Sequence, residues 1–180
     1  MSLLHIICAS AALLLGPCLF AVRKGTPRHV LIGRAYAISM LGMNFSAFFI
    51  YRLFKGFGPF HVLAIVSLLT LLAGYVAFWR RRTSRNWLEH HYRAMNWSYV
   101  GLVAAGVSEA IVRIDVLRTT LDGWIGFGIA VFAASLATCL IGGWLIARFE
   151  EPTIRRYRES QLDRGHASED VINRNADRAD

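Results

Sequence analysis

Five apolar runs, at roughly residues 2–22, 29–51, 59–79, 90–112 and 123–149, occupy most of this chain. Each is long enough to cross a hydrocarbon core as a helix, which takes about 20 residues. Inside lipid the backbone must satisfy its own hydrogen bonds, so a spanning segment is either a helix or part of a closed barrel. None of the runs alternates polar and apolar residues with the period of two that a barrel strand shows. The fold class that follows is all-α. We expect a polytopic membrane protein with five transmembrane helices, four in an up-down bundle and a fifth packed against it. The charged share of 18% agrees, since soluble domains carry roughly 25%.

Residues 1–149 therefore form the transmembrane domain, and residues 150–180 a polar tail rich in Arg, Asp and Glu. The tail is expected to continue as a short helix over Pro152–Leu162 and then to be disordered for want of large apolar residues. The basic residues set orientation. Arg23, Lys24 and Arg28 lie between runs one and two, and Arg80, Arg81, Arg82 and Arg85 between three and four. Arg148, Arg155, Arg156 and Arg158 flank the tail. The opposite connections hold Arg52, Lys55, Arg113 and Arg118 with Asp115 and Asp122. The positive-inside asymmetry puts the N-terminus outside and the C-terminus in the cytoplasm. It also accounts for the net charge of +8 without nucleic acid as a partner. A signal peptide carries its positive charge before the apolar core; here the charge comes after it, so the first run is kept as a helix. Cys8, Cys18 and Cys139 all sit within apolar runs, without metal-ligand spacing. No nucleophile–base pair, phosphate loop or dinucleotide fingerprint is present.

Histidines are the polar residues that repeat. His5 and His61 open runs one and three at the outer level; His29, and His90 with His91, open runs two and four at the inner level. In an up-down bundle helix one faces three across the diagonal, and two faces four. Each level then brings two imidazoles together, the requirement for a bis-histidine haem b. On this reading His5 with His61, and His29 with His91, are axial ligands. Gly33 and Tyr36 lie on the His29 face. His91 leads a small-residue stripe through Ala94, Ser98, Gly101, Ala105 and Ser108, and His90 remains its competitor. Arg34 and Arg93, with Arg28 beside them at the inner level, are the candidates for the haem propionates. From His5 to Val22 a helix rises about 25 Å, so two haems would be stacked across the membrane, with a quinone or other redox partner.

Two other readings stand beside it. Histidine sits comfortably at headgroup depth, and Gly/Ala stripes serve close helix packing. The protein is then non-catalytic, an assembly factor or complex subunit. In the third reading His5 and His61 hold a metal ion. Asn44, Ser46 and Thr70 are expected to bond between helices, Glu109 to pair with Arg113, and Asn96, Trp97 and Tyr99 to line an inner pocket. Gly126, Ala130, Ala133 or Ala134, Ala137 and Gly142 give run five a packing face.

These residues carry a resemblance. His5, Leu13-Leu14-Leu15-Gly16-Pro17, His29-x-x-x-Gly33-Arg34-x-Tyr36, Gly58-Pro59-Phe60-His61 and the His90/His91 entry resemble bacterial multi-pass membrane proteins of the domain-of-unknown-function 2306 family, over about residues 1–115. Members often show His-Arg where this chain has His29-Val30, with Arg28 before the histidine instead. The resemblance implies a bacterial inner-membrane location and the lipid bilayer as partner, and brings no activity with it. The diagonal histidines are also similar to those of cytochrome b561-type proteins, an analogy of architecture.

Overall fold

The computed structural model describes residues 3–49, 59–112 and 123–176, with side chains over 3–49, 63–111, 126 and 128–163. Every regular element in it is helical: α1 (Leu3–Ala21), α2 (Pro27–Ala47), α3 (Pro59–Trp79), a 3₁₀ turn (Arg80–Arg82), α4 (Trp87–Val112) and α5 (Gly123–Ala176). The five apolar runs are thus five helices. Local chemistry explains where their ends differ from expectation. α2 starts two residues early because Thr26 caps it, its Oγ1 accepting from His29 N–H at 3.2 Å, and Pro27 fills the first helical position. It stops at Ala47, where the Phe49 N–H turns to the Ser46 carbonyl at 3.2 Å, a tighter i−3 bond.

Beyond Leu162, where disorder is the expectation, the backbone is helical. α5 runs for 54 residues to Ala176, about 80 Å at 1.5 Å per residue. That far exceeds a hydrocarbon core of about 30 Å, so its polar half projects beyond one. The reason is tertiary: Ile154 and Ser160 are buried, so the start of the tail has a face to pack, and no proline follows Pro152 to stop the helix.

Three stretches are long and apolar enough to cross a membrane: Leu3–Ala21, Leu63–Arg82 and Gly128–Asp163. Of the first four helices α2 and α4 are the more polar, and they bury Asn44, Ser46, Ser98 and Ser108. Tyr36, Ala37, Met40, Met43 and Asn44 form the buried stripe of α2, at the i, i+3, i+4 spacing of one helix face. α3 shows the opposite pattern, with Leu68, Leu69, Leu72 and Val76 exposed as a lipid-facing surface requires.

α1 lies along α2, α3 along α4, and α5 along α4. α2 touches α3, and α1 touches α4, more lightly. α1 with α3, and α2 with α4, make no backbone contact among the described residues. Small residues permit the close approaches: a Cβ on Gly142 of α5 would lie 2.5 Å from Val100 of α4. Polar groups bond across helices as expected for Asn44, whose Nδ2 donates to Ser67 Oγ at 3.1 Å, and for Ser46, which meets His5. Thr70 bonds its own helix instead, at the Ser67 carbonyl. Arg113, the expected partner of Glu109, lies outside the described residues.

Tyr36 is fully buried, and its hydroxyl meets Ser98 Oγ at 3.0 Å, linking α2 to α4. Ser98 donates its only proton to the Met95 carbonyl at 2.8 Å, so Tyr36 is the donor. Ser98→Ala should therefore strand a buried phenol at a cost of about 1–3 kcal/mol, visible as a lower Tm in detergent. Adding Tyr36→Phe should restore most of the loss.

Candidate functional site

The ends of α1 and α3, the starts of α2 and α4, and the middle of α5 meet at the arginine-rich end of the molecule, called here the basic end. They enclose a cavity of about 880 Å³, within the size range of small-molecule and cofactor sites. The turn that leads into it is built locally. α1 ends at Ala21, and the Lys24 ammonium folds back to donate to the carbonyls of Leu19 and Phe20, satisfying acceptors the helix leaves open. Burial holds the Lys24 pKa below its ordinary value. Gly25 takes a left-handed φ of 72°, open to glycine without strain. Thr26 then starts α2 and delivers His29 to the cavity wall one turn in.

His29 of α2 and His91 of α4 both line this cavity. His91 Nδ1 lies 2.9 Å from the Gly74 carbonyl of α3. A carbonyl only accepts, so Nδ1 carries the proton and Nε2 keeps the lone pair. Phe78 and Trp87 flank the ring, with centroids at 5.9 and 6.5 Å. The His29 Nδ1 is buried and has no partner among the described residues. A buried polar atom left this way asks for an explanation. Tyr36, Met95 and Tyr99 form the floor, and Phe149, Thr153, Ile154 and Tyr157 of α5 form the cover. Gly33 also lines the wall, and a Cβ there would meet only Leu19 Cδ2, at 3.9 Å.

The competition between His90 and His91 is settled as geometry. His90 is exposed, and its Nδ1 bonds the Asn86 carbonyl of its own helix at 2.7 Å; His91 is the one in the cavity. Of the two arginines, Arg34 lines the cavity and forms no ion pair among the described residues. Arg93, the other propionate candidate, is placed differently. Its Nε donates to Glu150 at 2.8 Å on an exposed face, outside the cavity lining. The carboxylate that claims it is brought by the continuation of α5, which the sequence pattern left unplaced.

At the far end, His5 Nδ1 lies 3.0 Å from Ser46 Oγ and 3.2 Å from the Met43 carbonyl. Ser46 donates its own proton to Met43 O at 2.8 Å, so it accepts from His5, and Nε2 of His5 is again the nitrogen with the lone pair. The side chain of His61 lies outside the described residues. Among the described residues no group of three or more His, Cys, Asp or Glu is placed to hold a bare metal ion.

Sequence reasoning missed Lys24, Trp87 and Tyr157 as wall residues. A signal for the last existed in the apolar spacing Phe149, Thr153, Ile154, Tyr157, which repeats one helix face beyond the membrane run. Chemically, the cavity offers mostly apolar walls, two imidazoles from different helices, the Arg34 guanidinium and the Lys24 ammonium. It suits a flat, largely apolar ligand with an anionic group.

Apolar helices of membrane-spanning length, with a few polar groups buried between them, define a helical membrane protein. Residues 2–149 match the family described as predicted membrane protein (DUF2306), and the chain belongs to that family. The match takes in all of α1–α4 and the apolar half of α5, and ends where the polar half of α5 begins. No curated protein and no solved structure matches the chain.

Proposed function

We propose that this protein binds haem b in the basic-end cavity through His29 and His91, as an electron-transfer protein of the bacterial inner membrane. All five helices then cross the bilayer, α1–α4 as an up-down bundle, with the N-terminus outside and the basic end cytoplasmic. The observation that carries the reading is that imidazoles from α2 and α4, two helices without backbone contact, line one cavity.

The residues fit the group. The Nδ1–H of His91 is anchored on Gly74, the outer-shell arrangement that fixes tautomer and ring direction in metal-binding histidines. The orphaned His29 Nδ1 marks a ring whose polar needs this chain does not meet. Arg34 supplies a cation for a carboxylate, and the open space over Gly33 leaves room beside His29. The haem would supply reversible one-electron chemistry. The chain's residues orient the imidazoles, exclude water with Phe78, Trp87 and Phe149, and hold compensating charge at Arg34. His5, with its Nδ1 tied to α2, stands ready for the same role with His61 at a second level, and a quinol or other redox partner would donate or accept the electron.

The test is an ultraviolet–visible spectrum of the detergent-purified protein, air-oxidised and then reduced with dithionite. A Soret band that sharpens on reduction, with split visible bands, is the expected result. A colourless protein from cells supplied with ample haem would sink this reading and favour a non-catalytic subunit or assembly factor.

A further inference from the structure

The cavity has two sides of opposite character. At the basic end it is covered by α5, and the cover is tied down at several points. Arg93 of α4 donates to Glu150 at 2.8 Å, and Arg158 donates to Glu89 of α4 at 3.3 Å. Tyr157 stands edge-on to Trp87, centroids 6.3 Å apart. The same ring sits over Gly25, where a Cβ would lie 2.6 Å from it; the glycine is what lets the ring down. Ile154 is buried beneath. On the side wall the situation is reversed. α1 and α5 both line the cavity, yet they make no backbone contact among the described residues, and neither do α2 and α5. The residues along this gap, Phe20, Ile141 and Leu145, are exposed and apolar, as a lipid-facing opening requires.

We infer that the cavity is loaded from the bilayer through the gap between α1 and α5, while the polar half of α5 latches its aqueous mouth. The occupant is a lipid-soluble amphiphile whose anionic group meets Arg34. This rests on reading the cavity as a ligand site, and does not require that the ligand be haem. A water-soluble ligand would have to separate two ion pairs and lift Tyr157 from Gly25 and Trp87. An amphiphile already in the membrane has only apolar side chains to displace, and its charged group stays near the interface where Arg34 lies.

The route is tested on the full chain in nanodiscs, which present both faces to water. Cys8, Cys18 and Cys139 are replaced by alanine, and Asn96→Cys serves as reporter. Asn96 lines the cavity, and its side chain donates to the Tyr92 carbonyl of its own helix. Pyrene maleimide, which partitions into lipid, should label this cysteine at least tenfold faster than a sulfonated maleimide of equal thiol reactivity. Ile141→Trp, at an exposed position in the gap, should slow the pyrene reagent at least fivefold. Arg93→Glu with Arg158→Glu should speed the sulfonated reagent at least fivefold, and adding Glu89→Arg with Glu150→Arg should reverse that. Equal labelling of the reporter by the two reagents would overturn the proposal, as would indifference of the pyrene reagent to Ile141→Trp or of the sulfonated one to the charge reversals. The outcome is separable from the haem reading. A colourless protein with the lateral labelling pattern removes haem and keeps the route; a haem spectrum with equal labelling does the reverse.

Discussion

If the cavity holds haem as proposed, His91→Ala is expected to remove its low-spin spectrum completely. Haem content should fall to background if that site is filled alone, and by half if His5 and His61 hold a second group. The imidazole is fixed by its Nδ1–H bond to Gly74 and by the flanking rings of Phe78 and Trp87. An alanine there offers no lone pair, and no other described histidine of α4 can take its place, because His90 is turned outward onto Asn86. His29→Ala should give the same loss from the opposite wall. His90→Ala is the control and should leave the spectrum unchanged. Absorbance of the reduced protein, with a pyridine haemochrome assay for stoichiometry, reads all three. A loss on His90→Ala with retention on His91→Ala would sink the assignment of ligands while leaving haem itself in place.

The largest effect on stability is expected at Gly16. An ideal Cβ on this residue would lie 2.0 Å from Cε2 of Tyr99 and within 2.7 Å of two more ring atoms. The ring has little freedom to yield. Its hydroxyl donates to the Leu13 carbonyl at 3.3 Å, and it sits between Phe20 and Tyr36 at centroid distances of 5.5 and 6.5 Å. Gly16→Ala must therefore push α1 away from α4 or expel the ring. Overpacking of this kind costs about 1–3 kcal/mol, and we expect the upper end, because the neighbour is a held ring. The thermal midpoint in detergent should drop accordingly. Gly101→Ala on α4, where a Cβ meets nothing within 4 Å, should be neutral or stabilising by up to about 1 kcal/mol through helix propensity. Removing the ring as well, in a Gly16→Ala/Tyr99→Ala double variant, should show strong coupling in a double-mutant cycle. Additive losses would mean that the notch and the ring are not partners.

Gly16 also shows how far local pattern reaches. The stretch Gly16-Pro17 reads as a bend in the first helix, and α1 does contain Pro17. That the glycine is a socket for a tyrosine 83 positions later is invisible in the chain, because nothing local encodes which helix α1 will lie against. The same holds for the arginines. Arg34 and Arg93 are alike as sequence, each close after a histidine near a helix start. Only the packing of α5 on α4 separates them, by bringing Glu150 to Arg93 and leaving Arg34 on the cavity wall.

What the sequence determined by itself is the membrane class, the positions of the five helices and the inward placement of polar residues on α2 and α4. These follow from one strong constraint: a backbone in lipid must bond to itself, so length and hydropathy alone mark the helices. It also determined that histidines stand near the starts of helices, since the entry to an apolar run is a local feature. Tertiary structure decided that His29 and His91 line one cavity, how α5 continues past the membrane run, and that Thr153, Ile154 and Tyr157 of α5 line that cavity beside Trp87 and Gly25. Those outcomes depend on side chains distant in the chain meeting at one place, and helical periodicity says which face a residue occupies without saying what lies opposite.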